Sequence, residues 1–281
     1  MGGAPMRAGF LGPAGTFSED ALLATAPPGV EAVPFPTVDA VVRAVEDGEV
    51  ERGVVPIESA TEGSVDATLD ALAASPVTIV GEVVRPISHA LIAKADLPLE
   101  RITTVASHPQ ALAQCADFLR AELPWATPMA WSSTAEAVLE TAARREPWAA
   151  IGTPRAAELY GCVVLRDAIE GRDGNETRFV WIAPEGTVAG EAPGVAHKTS
   201  LAFFGAGARE SGWLVRCLSE FAFRGVNLTR IESRPRRDRL GQYLFFVDLE
   251  GGTGDERVGA AIEGLRAHSD EVRVLGSYPA A

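Results

Sequence analysis

The stretch Asn175-Glu176-Thr177-Arg178-Phe179 places one hydroxyl between an acid and a base, just before the apolar run Val180-Trp181-Ile182. Two chemistries suit these residue types. In a strand, Thr177, Phe179 and Trp181 share a face by the period of two, and the hydroxyl only decorates a pleat. In a site, Thr177 is a proton donor held beside an anion, with the Arg178 guanidinium close by. Deciding between them turns on the elements that would have to hold the stretch in place.

Those elements are legible in outline. The first 185 residues alternate short apolar runs with helical patterns, the mark of an α/β sheet. Five junctions carry Ser or Thr where a strand gives way to a helix. "GFLGPAGTFSEDALL" spaces Thr16 and Glu19 as a capping box, and "MAWSSTAEAVLETAA" repeats the box with Ser133 and Glu136. "TTVASHPQALAQCADFL" offers Ser107 as a cap before Pro109, and "AAIGTPRAAELYG" offers Thr153 before Pro154. "GVVPIESATEGSVDATLDAL" makes the same change through a polar turn. In an open α/β sheet these ends gather where ligands bind, and free N–H groups at helix starts favour an anion such as a carboxylate or phosphate. "GPAGTF" is no phosphate loop, since no Gly-Lys-Ser/Thr follows. The run "RPISHALIAKADLPLE" (85–100) changes character midway and reads as a crossover between two lobes, with "NETRFVWI" as the return strand. Two crossings make a hinged cleft, with Thr177 at the hinge.

Composition narrows the ligand. The chain has 281 residues, 47% hydrophobic and 22% charged, enough for a large core and two domains. Residues 1–197 hold 13 Lys and Arg against 27 Asp and Glu, whereas residues 198–281 hold 12 against 11. So acidic a first part argues against nucleic acid or an anionic membrane as partner. A small anion remains possible through a local site. Cys115, Cys162 and Cys217 are scattered, as are the histidines at 89, 108, 197 and 268, so neither a metal nor a redox spacing exists. The amino-terminal residues lack the basic and apolar regions of a signal peptide, and a cytoplasmic protein is expected.

The Gly- and Pro-rich stretch around residues 186–197 reads as a linker. Beyond it, residues 198–281 present strand, helix, two strands joined by the charged turn Arg236-Arg237-Asp238-Arg239, helix and strand. That βαββαβ order is the ferredoxin-like plan.

Taken together, "GPAGTFSE" (12–19), "VPIESATEGSV" (55–65), "SHPQALAQC" (107–115), "STAEAV" (133–138), "AAIGTPRAAELYG" (149–161) and "NETRF" (175–179) resemble the prephenate dehydratase family, in its order and over almost the whole chain. The resemblance implies a two-lobed catalytic domain over residues 1–185, similar in plan to periplasmic binding proteins, with the second lobe at about 80–175. It also implies a regulatory ACT domain over 198–281, carrying "VNLTRIESRPRR" (226–237). The implied reaction turns prephenate, a dianion, into phenylpyruvate, CO2 and water without metal or cofactor. Because hydroxide leaves poorly, a positioned proton donor is needed, and the family's Thr-Arg-Phe motif puts Thr177 in that role. By the same resemblance Glu58 and Gln114 join Thr177 as catalytic residues. Thr16, Phe17, Ser18, Ser59, Ser107, Ser133, Thr134, Ala135, Asn175, Arg178 and Phe179 are implied to hold substrate, with Arg178 on a carboxylate.

Two departures stand out. The family's Glu-Asn-Ser is Glu58-Ser59-Ala60 here, losing hydrogen bonds worth roughly 1.5–3 kcal/mol each to a charged ligand. That could alter the substrate, toward arogenate for example, or be covered by Ser59 and Thr61. The family's Gly-Ala-Leu is Gly212-Trp213-Leu214 here. With Asn227, Leu228 and the Glu232-Ser233-Arg234-Pro235 motif it implies a pocket for an amino-acid effector, L-phenylalanine in the family, between subunits of a homodimer or homotetramer. The rival readings are a prephenate decarboxylase that keeps the ring hydroxyl, for which Thr177 would be idle, and a non-catalytic amino-acid sensor of the same fold.

Overall fold

Alternating apolar and amphipathic segments become fifteen strands and nine α-helices among the described residues of the computed structural model, which describes residues 5–171, 174–190, 194–205, 210–236 and 241–281. Met1 to Ala4, Glu191-Ala192-Pro193 of the expected linker, and Arg237, Asp238 and Arg239 of the expected charged turn lie outside the described residues. In chain order come β1 (Arg7–Leu11), α1 (Phe17–Thr25), β2 (Glu31–Phe35), α2 (Val38–Glu46), β3 (Arg52–Ser59), β4 (Gly63–Ser64), α3 (Asp66–Ala74) and β5 (Val77–Pro86). These are followed by β6 (Ala90–Ala93), β7 (Thr104–Ser107), α4 (Pro109–Gln114), α5 (Ala116–Glu122), β8 (Thr127–Ala130), α6 (Thr134–Ala143), β9 (Trp148–Gly152), α7 (Pro154–Leu159), β10 (Val163–Arg166) and β11 (Glu176–Pro184). The last six are β12 (His197–Phe204), α8 (Trp213–Ala222), β13 (Leu228–Pro235), β14 (Tyr243–Glu250), α9 (Glu256–His268) and β15 (Glu271–Pro279).

Three sheets result, giving a mixed α/β fold. The first runs β2-β1-β3-β11-β5 with β4 on β3, the second β10-β6-β9-β7-β8, and the third β13-β14-β12-β15. In the second sheet β6 is buried at every residue, and β7 pairs in parallel with both β8 and β9. β7 and β9, each flanked on both sides, are buried almost throughout, as covered parallel strands are, whereas the edge strand β8 is exposed at every residue.

The chain divides into two compact units. One comprises residues up to Val41, Val54–Gly63 and Val84–Phe179; the other comprises Val42–Gly53, Ser64–Val83 and Val180–Ala281. The chain leaves the first sheet for the second after Pro86 and returns before Glu176. The two crossing segments are tied together within the first unit: Ile87 N–H donates to the Asn175 carbonyl at 2.8 Å, and Ile169 N–H to the His89 carbonyl at 3.0 Å.

The second unit takes in Val42–Gly53 and Ser64–Val83 as well as Val180–Ala281. Helix α3 and the first part of β5 belong with it because polar groups bind them there. Arg234 pairs with Asp66 and Asp70 on α3. Arg273 donates to the carbonyls of Ala73, Ser75 and Val77, where α3 ends and its dipole favours a cation. Lys198 pairs with Glu82 at 2.6 Å, and Gly276 packs so closely on Ile79 that a Cβ there would collide with the Ile79 carbonyl. Within this unit β12, α8, β13, β14, α9 and β15 realise the βαββαβ order, with all three strand pairings antiparallel. Asp255 caps α9, which buries Val258, Ala261, Ile262 and Leu265 at helical spacing against Phe203, Phe221 and Val247. No helix among the described residues is long and apolar enough to cross a membrane.

Candidate active site

A pocket of about 710 Å³ in the first unit opens where strand ends and helix starts meet. Its wall takes Leu11 from the end of β1, Phe35 from β2 and Ser59 from β3. Thr16, Phe17 and Ser18 enter from the start of α1, and Ser133 and Thr134 from the start of α6. Asn175, Thr177 and Phe179 complete it from β11 and the residue before it.

Each helix start is held by local chemistry. Thr16 Oγ1 accepts from Glu19 N–H at 3.4 Å and itself donates to the Leu11 carbonyl at 3.0 Å, so the turn closes on the strand it left. The Glu19 carboxylate completes the turn by accepting from Gly15 N–H at 2.7 Å and from Arg155 Nε at 3.1 Å. Gly15 has φ +87°, which a side chain would strain. Thr153 caps α7 and donates to the Gly15 carbonyl at 2.7 Å. Ser133 Oγ accepts from Glu136 N–H at 3.0 Å at the start of α6. The first-turn N–H groups of α1 and α6 have no intrahelical acceptor, and both starts lie on the pocket wall, so the dipole ends favour an anion there.

Two of the five expected capping junctions differ. His108, not Ser107, caps α4, its Nδ1 accepting from Gln110 N–H at 3.4 Å; α3 begins at Val65 with no side-chain cap. Ser107, expected on the pocket, is fully buried and donates to the Ile151 carbonyl at 2.7 Å, because its strand is central to the second sheet. Ala135 is likewise fully buried and off the wall, turned inward while Thr134 and Glu136 on either side of it line the cavity.

The expected roles of Arg178 and Glu58 also need correction. Strand alternation puts Thr177 and Phe179 on the pocket wall and turns Arg178 away. Arg178, 8% exposed, meets Glu58 instead, with Nη2 to Oε2 at 3.0 Å and Nε to Oε2 at 3.1 Å. Neither residue lines the pocket, and no Lys or Arg does among the described residues.

A polar chain links His89, Gln114 and Asn175 on the same wall. His89 Nε2 lies 2.8 Å from Gln114 Oε1, Asn175 Nδ2 donates to the same oxygen at 3.2 Å, and Gln114 Nε2 donates to Thr61 Oγ1 at 3.1 Å. Ser59 Oγ lies 3.1 Å from Thr61 Oγ1, so these two hydroxyls occupy the turn where the family's amide is missing. His89 was not expected on the site, since an isolated histidine carries no spacing signal. Burial lowers its pKa, against the opposing pull of the Gln114 hydrogen bond and the Glu170 charge. Ser132, Glu136, Gln110 and His108 also line the wall without having been singled out as substrate contacts; Ser132 donates to the Glu136 carboxylate.

The expected effector residues lie in the second unit. Trp213 fills the core between α8 and the sheet, against Phe203 and Phe245, with its indole N–H donating to the His268 carbonyl at 2.5 Å. Leu214 and Leu228 pack on that core, while Gly212 caps α8 at φ +77° and Asn227 is exposed. On β13, Glu232 accepts from Ser64 Oγ at 3.0 Å and Arg234 is bound by Asp66 and Asp70, whereas Ser233 and Pro235 are exposed.

Comparison with known proteins points to one family. The family profile for prephenate dehydratase matches residues 8–187. A prephenate dehydratase from Amycolatopsis methanolica is 38% identical over 273 residues, covering 97% of this chain and 88% of that one. A bifunctional chorismate mutase/prephenate dehydratase from Neisseria gonorrhoeae is 37% identical over 278 residues, covering 99% of this chain and 75% of that one. The crystal structure of a prephenate dehydratase from Arthrobacter aurescens in complex with L-Phe superposes with a TM-score of 0.89 at 36% identity, covering 98% of this chain and 90% of that one. The chain therefore belongs to the prephenate dehydratase family.

Proposed function

We infer that this chain is a lyase that converts prephenate to phenylpyruvate, CO2 and water in phenylalanine biosynthesis. The observation that carries the reading is the placement of Thr177 on the wall of a cavity built from two capped helix starts, in a chain of this family. The helix starts and the Ser and Thr hydroxyls hold the substrate carboxylates. As the ring carboxylate departs as CO2, its bonding electrons enter the ring. The ring becomes aromatic, and the bond to the opposite hydroxyl breaks. Thr177 gives that oxygen a hydrogen bond or a proton as it leaves, and a proton from solvent completes the water or restores the Thr177 hydroxyl. A free threonine is far too weak an acid for this by pKa matching, so its contribution is positional. Gln114 and Asn175 present amides on the same wall, and Phe179 bounds the ring.

In this reading residues 1–185 form the catalytic domain, 186–197 a linker and 198–281 an ACT domain of ferredoxin-like plan that takes L-phenylalanine and lowers activity. Inhibition requires the effector to bind the less active state more tightly. Exposed Val215, Phe223, Ile231 and Tyr243 in the second unit support a homodimer or homotetramer. The reading places the enzyme in the cytoplasm and assigns it no metal or cofactor.

The test is one assay. Purified protein with prephenate must yield a product whose enolate absorbs in alkali; a non-aromatic product points to the decarboxylase, and no turnover removes the enzyme reading. Labelled L-phenylalanine in equilibrium dialysis tests the effector, and absence of binding at millimolar concentration removes it.

A further inference from the structure

Gln114 is held by more than its own helix. Its oxygen lies 2.8 Å from His89 Nε2 and accepts from the Asn175 amide, and its nitrogen faces Thr61. The alternative orientation, with both amides reversed and the imidazole in its other tautomer, would leave buried donors without acceptors at His89 Nδ1 and on the Asn175 amide. The orientation found leaves two buried acceptors instead, His89 Nδ1 and Asn175 Oδ1. Orphaned buried N–H groups are the rarer defect, so the orientation found is the better one. It fixes the His89 proton on Nε2 and leaves the second Gln114 amide proton for a ligand.

His89 is itself rigidly mounted. Its ring, 3% exposed, meets the first residue of α1, Phe17, edge to face at 5.5 Å. Its backbone N–H donates to Glu170 Oε2 at 2.8 Å, and its carbonyl accepts from Ile169 N–H at 3.0 Å. Asn175 is tied to Ile87 through its carbonyl. One donor to Gln114 therefore comes from each crossing segment, while the acceptor comes from α4. Gln114 also stands between the main cavity and a second polar one of about 420 Å³, lined by Thr61, Glu62, Asp117 and Glu170 among others. An untethered carboxamide could swing toward either.

We propose that His89 is a positioning residue for the dehydration: its Nε2–H locks the Gln114 carboxamide so that the remaining amide N–H points a fixed donor at the substrate. This rests on the dehydratase reading of the cavity. Two N–H groups on one carbonyl oxygen also polarise the amide and strengthen its remaining donor.

The experiment is a double-mutant cycle on prephenate turnover. His89→Leu is expected to lower kcat by about 100-fold, the scale of an ångström of misplacement, and KM by far less. In a Gln114→Ala background the same change should cost under about threefold, because the partner is gone. His89→Gln, which restores an N–H near the position of Nε2, should recover most of the activity at unchanged Tm. The imidazole nitrogen-15 spectrum of the intact protein should show the proton on Nε2. Independent, multiplicative losses from His89 and Gln114 overturn the assignment, as does a proton found on Nδ1. So does a folded His89→Gln that is as impaired as the leucine variant. Should the leucine variant not fold, the glutamine variant and the spectrum decide. A wild-type protein that leaves prephenate untouched sinks the dehydratase reading and this assignment with it; active wild type with additive losses sinks the assignment alone.

Discussion

Arg178 reaches from β11 to Glu58 on the adjacent strand β3, 3.0 Å from Nη2 to Oε2, and so spends its charge on the strand pair rather than on the cavity. The pair lies next to Thr177 in sequence but on the opposite face of the strand. Its effect on the reaction is through the backbone that carries the hydroxyl. Glu58→Gln should destabilise the fold by about 1–2 kcal/mol, below the cost of breaking a fully buried pair because the Glu58 side chain is 39% exposed. Urea denaturation measures this, and an unchanged midpoint would remove the claim.

Thr177→Val keeps the shape of the side chain and removes its hydroxyl. If the hydroxyl assists departure of the leaving oxygen, kcat should fall by about 100- to 10,000-fold with little change in Tm. Thr177→Ser should retain part of the rate. Steady-state kinetics on prephenate read the outcome, and a kcat within a few-fold of wild type would disprove the role.

His89 should make stability pH-dependent. Its folded pKa lies below the ordinary 6.5, chiefly because burial disfavours the cation. Above pH 6.5 the imidazole is neutral in both states and contributes nothing. Below it the unfolded chain takes a proton that the folded chain refuses, so stability drains away as pH falls toward the folded pKa. The slope is at most about 1.4 kcal/mol per pH unit for one proton. Denaturation of wild type and His89→Gln across this window should show the extra slope in wild type only.

Arg234 binds Asp70 through both carboxylate oxygens, at 3.2 Å and 3.0 Å from Nη2, and also binds Asp66. Arg234→Met should cost about 1–3 kcal/mol, since the fork geometry matches the carboxylate and the guanidinium is largely buried. Differential scanning calorimetry should register the loss. Asp70→Asn should lose less, with Asp66 still in place.

Cys115 should be inert in the folded chain. Burial first, and the Glu170 charge second, push its thiol up to about 12. At pH 8 iodoacetamide should leave it unmodified until denaturant is added, while the half-buried Cys162 reacts first. Peptide mass mapping distinguishes the two.

What the sequence made legible follows from what is local. Caps at Thr16, Ser133 and Thr153 are short-range hydrogen bonds written in neighbouring residues and form as read. The glutamates of the two expected boxes turn elsewhere, Glu19 to Gly15 N–H and Glu136 to Ser132. The βαββαβ order after residue 197 follows from period and punctuation and is likewise present. The facing of Thr177 and Phe179 follows from alternation, and the same rule already implied that Arg178 points the other way; giving that arginine a substrate carboxylate set the rule aside. Ser107 was misplaced because a hydroxyl before Pro109 looks like a cap, whereas the strand it ends is central and buries it. His89 could not be found by spacing, since its partners stand 25 and 81 residues away along the chain. Trp213 shows the converse: a bulky residue judged by a motif proved to be core.

The embedding of α3 and the first half of β5 among residues 180–281 has a consequence for proteolysis. Scission of the segment around residue 190 would not liberate two self-sufficient pieces. The amino-terminal fragment would carry Asp66, Asp70 and Glu82 but neither Arg234 nor Lys198, with the last carbonyls of α3 bereft of Arg273. Ile79 would lose the glycine backbone pressed against it. Nicked protein should therefore stay associated through gel filtration and fall apart only in denaturant.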